Sequence, residues 1–391
     1  MDMASAKAFR THTPAFLQDA AADSHIRSKT LAEVDTPAFR AAWELLVAEA
    51  AEPNPFFEPW LLIPALAQWG ASSGITIKAW YHYGRLAGLL PIRASADYYG
   101  HRVPHYAGWL HANAFCGAPL IVAGHEEAFW RALLADSDRS AGRSLFLHLP
   151  KLPADGPALA ALDRVLAASP RAHYTAEEEN RAVLTGSGTA ATYLDNALSA
   201  KKRKELRRQR TRLAEEGILT FDRVEGAEEL AEWTNEFLAL EAAGWKGAGG
   251  SALASAPDTR VFFAETLAGA AAEGRLERLA LRLDGRAIAM LANFITAPGA
   301  YSFKTAFDED YARFSPGMLL QLENLALLER PGVQWADSCA VEGHPMIERL
   351  WRDKRRMVSR NIAIGGPLRR AAFRLLKAYE TRRRKTEETA A

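Results

Sequence analysis

Two stretches of this chain read as one hairpin written twice. The first runs from Ile75 through Gly84-Arg85 to Leu90, and the second from Leu276 through Gly285-Arg286 to Leu291. Each alternates apolar and polar residues, turns at a Gly-Arg pair and continues into a mostly apolar strand. The continuing strands, Leu86–Leu90 and Ala287–Ile295, lack the alternation of a half-solvated strand and read as central strands buried on both faces. Gly84 and Gly285 stand 201 residues apart in a chain of 391. An internal duplication is the economical reading.

The settings of the two hairpins agree with it. Before the first, helices are expected to start near Thr36-Pro37 and Glu58-Pro59, because proline is tolerated in a first helical turn. After it come a helix over 125–135, a strand at Leu145–Leu149, a helix over 155–167 and an extended piece around Arg181–Leu184. Gly186-Ser187-Gly188 then breaks the pattern and marks a boundary. The second half opens with a helix over 190–216, a strand at Ile218–Val224 and a helix over 226–242. A glycine-rich loop, Gly244–Gly250, and a helix over 258–273 precede the second hairpin. A strand near Tyr301–Thr305, a helix over 316–329 and a strand at Val333–Asp337 follow it. Helices alternating with strands indicate an α/β class. The expected division is an N-terminal extension (1–29), two similar domains (30–187 and 188–360) and a tail (361–391).

Hydrophobic residues make up 49% of the chain and charged residues 24%, the balance of a soluble globular protein with a sizeable core. Cys116 and Cys339 are too far apart for metal-ligand spacing, which suits a reducing compartment. No signal-peptide core or uninterrupted apolar stretch of spanning length is present, so a cytoplasmic setting is expected. The net charge of +1 hides an asymmetry: Arg352 to Lys385 holds 13 Lys or Arg against Asp353 and Glu380. An acidic body with a basic tail points to a negatively charged surface as partner. Within the tail, Leu368, Ala371, Ala372, Leu375, Leu376 and Tyr379 share one helical face, with Arg370, Arg374 and Lys377 opposite. Only Phe373 strays from the apolar side. Such a helix reads as a peripheral contact with an anionic membrane, or as a packing helix.

Three motifs carry a family resemblance: Glu241-Ala-Ala-Gly-Trp245-Lys246-Gly247, Tyr301-Ser-Phe-Lys304-Thr-Ala-Phe-Asp308, and Ser315-Pro-Gly317-Met-Leu-Leu320. Together with the basic stretch Lys201–Arg212, they resemble the CelD-like branch of the GNAT acyltransferase superfamily, labelled for cellulose biosynthesis and related to the Fem transferases. The resemblance implies tandem GNAT-like domains with mixed sheets flanked by helices, and an active site in the second. It further implies acyl-CoA as co-substrate, no permanently bound cofactor, no metal, and an amine acceptor. One similar class, the bacterial ceramide synthases, acylates a sphingoid amine, which makes a lipid the leading acceptor. Sugar acylation in exopolysaccharide and aminoacyl transfer from tRNA are the competing activities, and a non-catalytic binding protein is the competing class.

The residues themselves admit that chemistry. Ser315-Pro316-Gly317 opens a helix whose first N–H groups suit a phosphate, with Arg313 just before and Met318 and Leu319 just after. A plain N-cap at Ser315 explains the same residues. The family carries several glycines here and this chain one, and Fem-type relatives use an aminoacyl-tRNA instead. Thioester aminolysis needs a base and donors for the oxyanion. Asp308, with Glu309 and Asp310 beside it, supplies a carboxylate, and Lys304 a cation; the spacing also fits a surface ion pair. Glu241 precedes a loop that reads as a flexible lid, in which Trp245 stacks on a ligand and Lys246 grips a phosphate, or as a helix end and a plain loop. His344 is a second candidate base. Tyr301, Tyr311 and Trp351 are expected to line the substrate pocket. His101, His105 and His111 lack a Cys or carboxylate at ligand spacing, so a zinc site is not expected. The run Lys201–Arg212 holds eight cations in twelve residues. Without an accompanying motif, nucleic acid is not the expected partner.

Overall fold

The computed structural model describes residues 24–186 and 188–390. Residues 1–23 of the expected N-terminal extension and Ser187 of the expected boundary lie outside them. The strands are β1 (Ser24–Lys29), β2 (Ile75–His82), β3 (Arg85–Tyr98), β4 (His101–Gly108), β5 (Leu120–Ile121), β6 (Phe146–Pro153), β7 (His173–Thr185), β8 (Leu219–Glu225), β9 (Leu276–Leu283), β10 (Arg286–Thr296), β11 (Gly299–Phe307), β12 (Trp335–Asp337) and β13 (Asp353–Ala363). The longer helices are α1 (Pro37–Glu49), α2 (Pro59–Trp69), α3 (Glu126–Arg139), α4 (Pro157–Ala167), α5 (Ala190–Ala197), α6 (Ala200–Glu215), α7 (Leu230–Ala243), α8 (Pro257–Ala272), α9 (Pro316–Asn324) and α10 (Pro367–Ala390). The fold is α/β, a large mixed sheet flanked by helices.

Both hairpins form, and they match residue for residue. The turns Tyr83-Gly84 and Asp284-Gly285 have positive φ at both positions, 49° and 72° in one and 50° and 83° in the other. That is the I′ geometry whose twist suits a two-residue hairpin. Tyr81↔Leu86 and Trp80↔Gly88 in the first correspond, at the same 201-residue offset, to Arg282↔Ala287 and Leu281↔Ala289 in the second. Each register skips one residue, Ala87 or Ile288, so each hairpin carries a β-bulge at the same place.

The duplication extends across the sheet, whose order is β1-β2-β3-β4-β6-β13-β7-β12-β11-β10-β9-β8, with β5 paired to β3. Read inward from either edge, the pairings repeat: antiparallel three times, then parallel, then antiparallel. The two halves meet in the antiparallel pair β7–β13, which runs from Val183↔Asp353 to His173↔Ile362. Each half gives its last strand to the other, since β7 lies beside β12 and β13 beside β6. Ser24–Lys29, within the expected extension, is the edge strand of this sheet. The run starting at Arg352, counted above as the beginning of a basic tail, is here a central strand.

One hydrophobic cluster joins the halves, with Trp43, Phe56, Trp60 and Trp130 on one side and Phe237, Phe263, Phe294 and Phe303 on the other. Polar contacts also cross the junction. Arg181 on β7 donates to Asp337 on β12 (3.3 Å), to the Phe115 carbonyl (2.6 Å) and to Glu179 (2.5 Å). Arg355 on β13 reaches Glu52 (3.0 Å) and Asp155 (2.9 Å) while lying 4.6 Å from the Trp335 ring centre.

Some elements differ from the reading above. The helix expected over 190–216 is two helices, because Leu198 is extended and Ser199 caps a new start through Lys202 N–H. The helix expected over 316–329 ends at Asn324 and tightens into a 3₁₀ turn over Leu325–Glu329. Truncating Arg181 leaves Asp337 buried without its counter-charge. Arg181→Ala is therefore expected to lower unfolding free energy by about 3–5 kcal/mol in denaturant titration, and Asp337→Asn in the same chain to restore part of it.

Candidate functional site

In each half the parallel pairing stops early and leaves a wedge in the sheet. The pair β4–β6 holds only at Tyr106↔Leu147 and Ala107↔His148. The pair β11–β12 holds from Gly299↔Trp335 to Tyr301↔Asp337, although β11 runs on to Phe307. Shortly past the last paired residues, His148 and Asp337, both outgoing chains adopt positive φ, at Lys151 (50°) and Cys339 (53°).

The two wedges are filled differently. The first is closed by the segment between β4 and β5: Gly117 N–H donates to the Lys151 carbonyl at 3.0 Å. A Cβ on Gly117 would lie 1.9 Å from the Pro150 carbonyl oxygen, so the approach is backbone on backbone. The second wedge adjoins the start of α9. There a groove of about 290 Å³ is lined by Phe307, Ser315, Gly317, Met318, Pro345 and Met346, with Lys202 and Arg349 among its cations. It shares Lys202, Leu206, Met318 and Arg349 with a further hollow of about 340 Å³ that reaches Ser199 and Arg352.

At the α9 start, Ser315 is left-handed (φ 55°) and its side chain caps nothing. Met318 and Leu319 N–H both turn back to the Ser315 carbonyl, and the Gly317 N–H has no acceptor among the described residues. A Cβ on Gly317 would meet Met346 Sδ at 3.1 Å and Phe307 at 3.2 Å. Arg313 is elsewhere: it pairs with Glu216 (3.0 Å) and stacks on Phe314. Leu319 is core. The cations at the groove come instead from α6 (Lys202) and the turn after His344 (Arg349). Among the described residues, neither Arg349 nor Arg352 has an ion-pair partner. Lys202 sits inside the basic run already noted; Arg349 carried no sequence signal.

On the other face of β11, Lys304 sits between the rings of Phe303 and Phe115, 5.4 and 5.5 Å from their centres. Phe303 is the extra residue of a bulge, since Ala292 pairs with Lys304 and Asn293 with Ser302. Burial, reinforced by the charge of Lys246, pushes the Lys304 amine down to about 8, against the pull of Glu241. Lys304 and Asp308 are not brought together. The strand ends before Asp308, which caps the next turn through Asp310 N–H (3.0 Å) and binds Arg286 (2.7 Å).

Glu241 is buried with both oxygens engaged, one by Lys246 Nζ (2.7 Å) and one by Leu253 N–H (2.8 Å). Those bonds, with Glu309 accepting from Trp245 N–H (2.7 Å), fold the glycine-rich loop into a one-turn helix, Trp245–Ala248. Lys246 therefore faces Glu241 and the Thr305 carbonyl. Trp245 is 62% exposed beside it. His344 is half-buried; burial and the charge of Lys246 lower its pKa, leaving a neutral ring at pH 7. Tyr301 is buried and donates to the Pro53 carbonyl (2.8 Å), Trp351 is buried in a core cluster, and Tyr311 packs at the edge of another. Of the first-half histidines singled out above, His101 is exposed, His105 stacks on Phe146, and His111 lies among Trp69, Trp109 and Phe262, its pKa pushed to about 3 by burial.

Comparison with known proteins bears on the second half and on the fold. Residues 200–344 match the acetyltransferase (GNAT) domain family. The fold is similar to that of FemX, at a TM-score of 0.55 and 10% identity, covering 83% of this chain and 96% of that one. It is also similar to a conserved protein of unknown function from Bacteroides thetaiotaomicron VPI-5482, at 0.53 and 11%, covering 86% and 98%. No curated protein matches in sequence. The match lies within the second half of the chain and supports a GNAT-type acyltransferase domain there.

Gly247 is required by close approach: a Cβ there would lie 1.8 Å from the Ala242 carbonyl oxygen. Gly247→Ala is expected to dislodge the Trp245–Ala248 turn, read as faster hydrogen exchange of the Trp245 and Leu253 amides while those of β9 and β10 stay protected.

Proposed function

We propose that the second half transfers an acyl group directly from acyl-CoA to a primary amine. The observation that carries this reading is the groove at the α9 start. Its Gly317 N–H, unpaired among the described residues, lies with Lys202 and Arg349 beside apolar walls, a match for a phosphorylated carrier with an aliphatic arm. In the reaction the amine nitrogen attacks the thioester carbonyl, the C–N bond forms, and the C–S bond breaks to release the carrier thiol. The acyl arm passes from the groove through the wedge between β11 and β12 to the face that carries Lys304, whose ammonium meets the developing oxyanion. His344, neutral at pH 7, takes the amine proton and returns it to the departing sulfur. A thiol relay through the enzyme is disfavoured, because burial pushes Cys116 up to about 12 and Cys339 well above its ordinary value.

For the acceptor we propose a lipid amine, with a sphingoid base giving a (dihydro)ceramide as its leading case. The apolar groove walls, with the exposed Trp245 and the exposed Val341 whose carbonyl accepts from His344 N–H, support an apolar substrate. The test is thiol release from long-chain acyl-CoA and acetyl-CoA, each offered a sphingoid base or an amino sugar. Release that requires the long chain and the sphingoid base is the expected result; release with the sugar alone transfers the reading to polysaccharide modification. Silence with every thioester overturns the donor. Gly317→Val, with its fold checked by circular dichroism, and Arg349→Glu are each expected to raise the acyl-CoA KM about tenfold or more and spare kcat.

The pH dependence separates the two catalytic roles. Activity is expected to rise as His344 loses its proton below pH 6.5 and to fall as Lys304 loses its own near pH 8. Lys304→Arg should remove the alkaline fall and Lys304→Met lower kcat about 100-fold. A rate that instead climbs through pH 8 and loses that climb in Lys304→Met makes Lys304 the base.

A further inference from the structure

Helix α10 docks on the body through the residue that broke its sequence pattern. Phe373 is fully buried, its ring 5.6 Å from those of both Phe146 and Tyr174. Around it, Arg370 pairs with Asp138 (2.8 Å), Lys377 donates to the His173 carbonyl (2.8 Å), and Glu380 accepts from the Tyr174 hydroxyl (2.8 Å). Most of the apolar face read from the sequence as a membrane contact or a packing face is thereby turned outward, while Leu376 packs at the edge of the cluster. Leu368 is 88% exposed, Leu375 75% and Tyr379 60%, and Ala371 is exposed with them. Their spacing of three and four residues aligns them along the side of α10 opposite Phe373.

The charges around this stripe are of one sign. Arg374 is exposed and has no ion-pair partner among the described residues, and Arg382-Arg383-Arg384-Lys385 follows in the same helix. The single acidic residue between Pro367 and Thr386 is Glu380, and it is held inward by Tyr174. A second copy laid along the stripe would set cations against cations with almost no acid to pair them. An anionic lipid surface meets both features at once, taking the apolar stripe into its interface and the cations to its headgroups.

We propose that Leu368, Ala371, Leu375 and Tyr379, with Arg374 beside them, form a docking surface on which α10 lies flat against an anionic membrane. The docking does not depend on which amine the enzyme acylates. It is tested on the full chain without substrates, by flotation with phosphatidylcholine vesicles that contain or lack phosphatidylglycerol. The protein is expected to float with the anionic vesicles only and to be released by salt. Leu375→Asp and Leu368→Asp, both at exposed positions, should abolish flotation, and Arg374→Glu should weaken it about fivefold or more. Thiol release with a detergent-dispersed acceptor should be unchanged in these variants, so loss of docking and loss of catalysis are read separately. Equal flotation with both vesicle types, or flotation that survives both Asp variants, overturns the proposal. So does a lipid-independent dimer that Leu375→Asp dissociates, since the stripe would then be a self-contact.

Discussion

The antiparallel pairing of β7 with β13 is the contact on which the other features rest. Because each of these strands belongs in sequence to one half and in space to the other, neither half can complete its sheet alone. The exchange explains why buried charge is concentrated at the junction. Arg181 and Arg355 leave these two strands toward carboxylates and carbonyls of both halves, where an unpaired guanidinium would be costly. Glu52 shows the strain of that arrangement, since burial raises its carboxyl to about 7 even beside Arg355. A junction so constrained fixes the distance between the two wedges and the orientation of β11 within its own.

Duplication supplied two equivalent wedges, and local sequence decided their fates. In the first, a backbone segment reaches the outgoing chain because Gly117 has no side chain to prevent it. Asn54 then holds that segment through the carbonyls of Cys116 and Ala118. In the second, the corresponding space adjoins a helix start, and the segment that follows Cys339 lines it through Pro345 and Met346 without filling it. The same architecture is thus spent on packing in one half and on a groove in the other. A bulge at Phe303 re-aims β11 at that location, which places Lys304 on the face opposite α9.

What was legible in the sequence was local. The hairpins, the helix starts at Pro37 and Pro59 and the helix start at Pro316 each follow from backbone preferences of a few residues, and each is found as expected. The exchange of β7 and β13 was not legible, because strand pairing across some 170 residues leaves no trace in either strand. For the same reason the charges of Arg355 and Arg360 looked like part of a solvated tail. Lys304 and Asp308 fit an i, i+4 pairing on paper, but the strand stops between them and sends Asp308 to Arg286. In α10 the apolar periodicity was real and its direction was not recoverable: one phenylalanine fitting between Phe146 and Tyr174 outweighed four residues on the other side.

Lys304 shows how the site and the fold constrain each other. An ammonium largely removed from water needs compensation, and the described residues give it no carboxylate or carbonyl within bonding distance. The faces of Phe303 and Phe115 supply part of that compensation, one from each half of the chain. Lys246 is held away by Glu241, so its charge lowers the Lys304 pKa without quenching it. The outcome is a cation near its titration point, in a dry setting where electrostatic interactions are strong. A surface lysine would be more stable and chemically idle. The exchanged sheet holds Lys304 in this unfavourable place, because Phe115 is fixed to Arg181 of β7 and Phe303 to the bulge of β11.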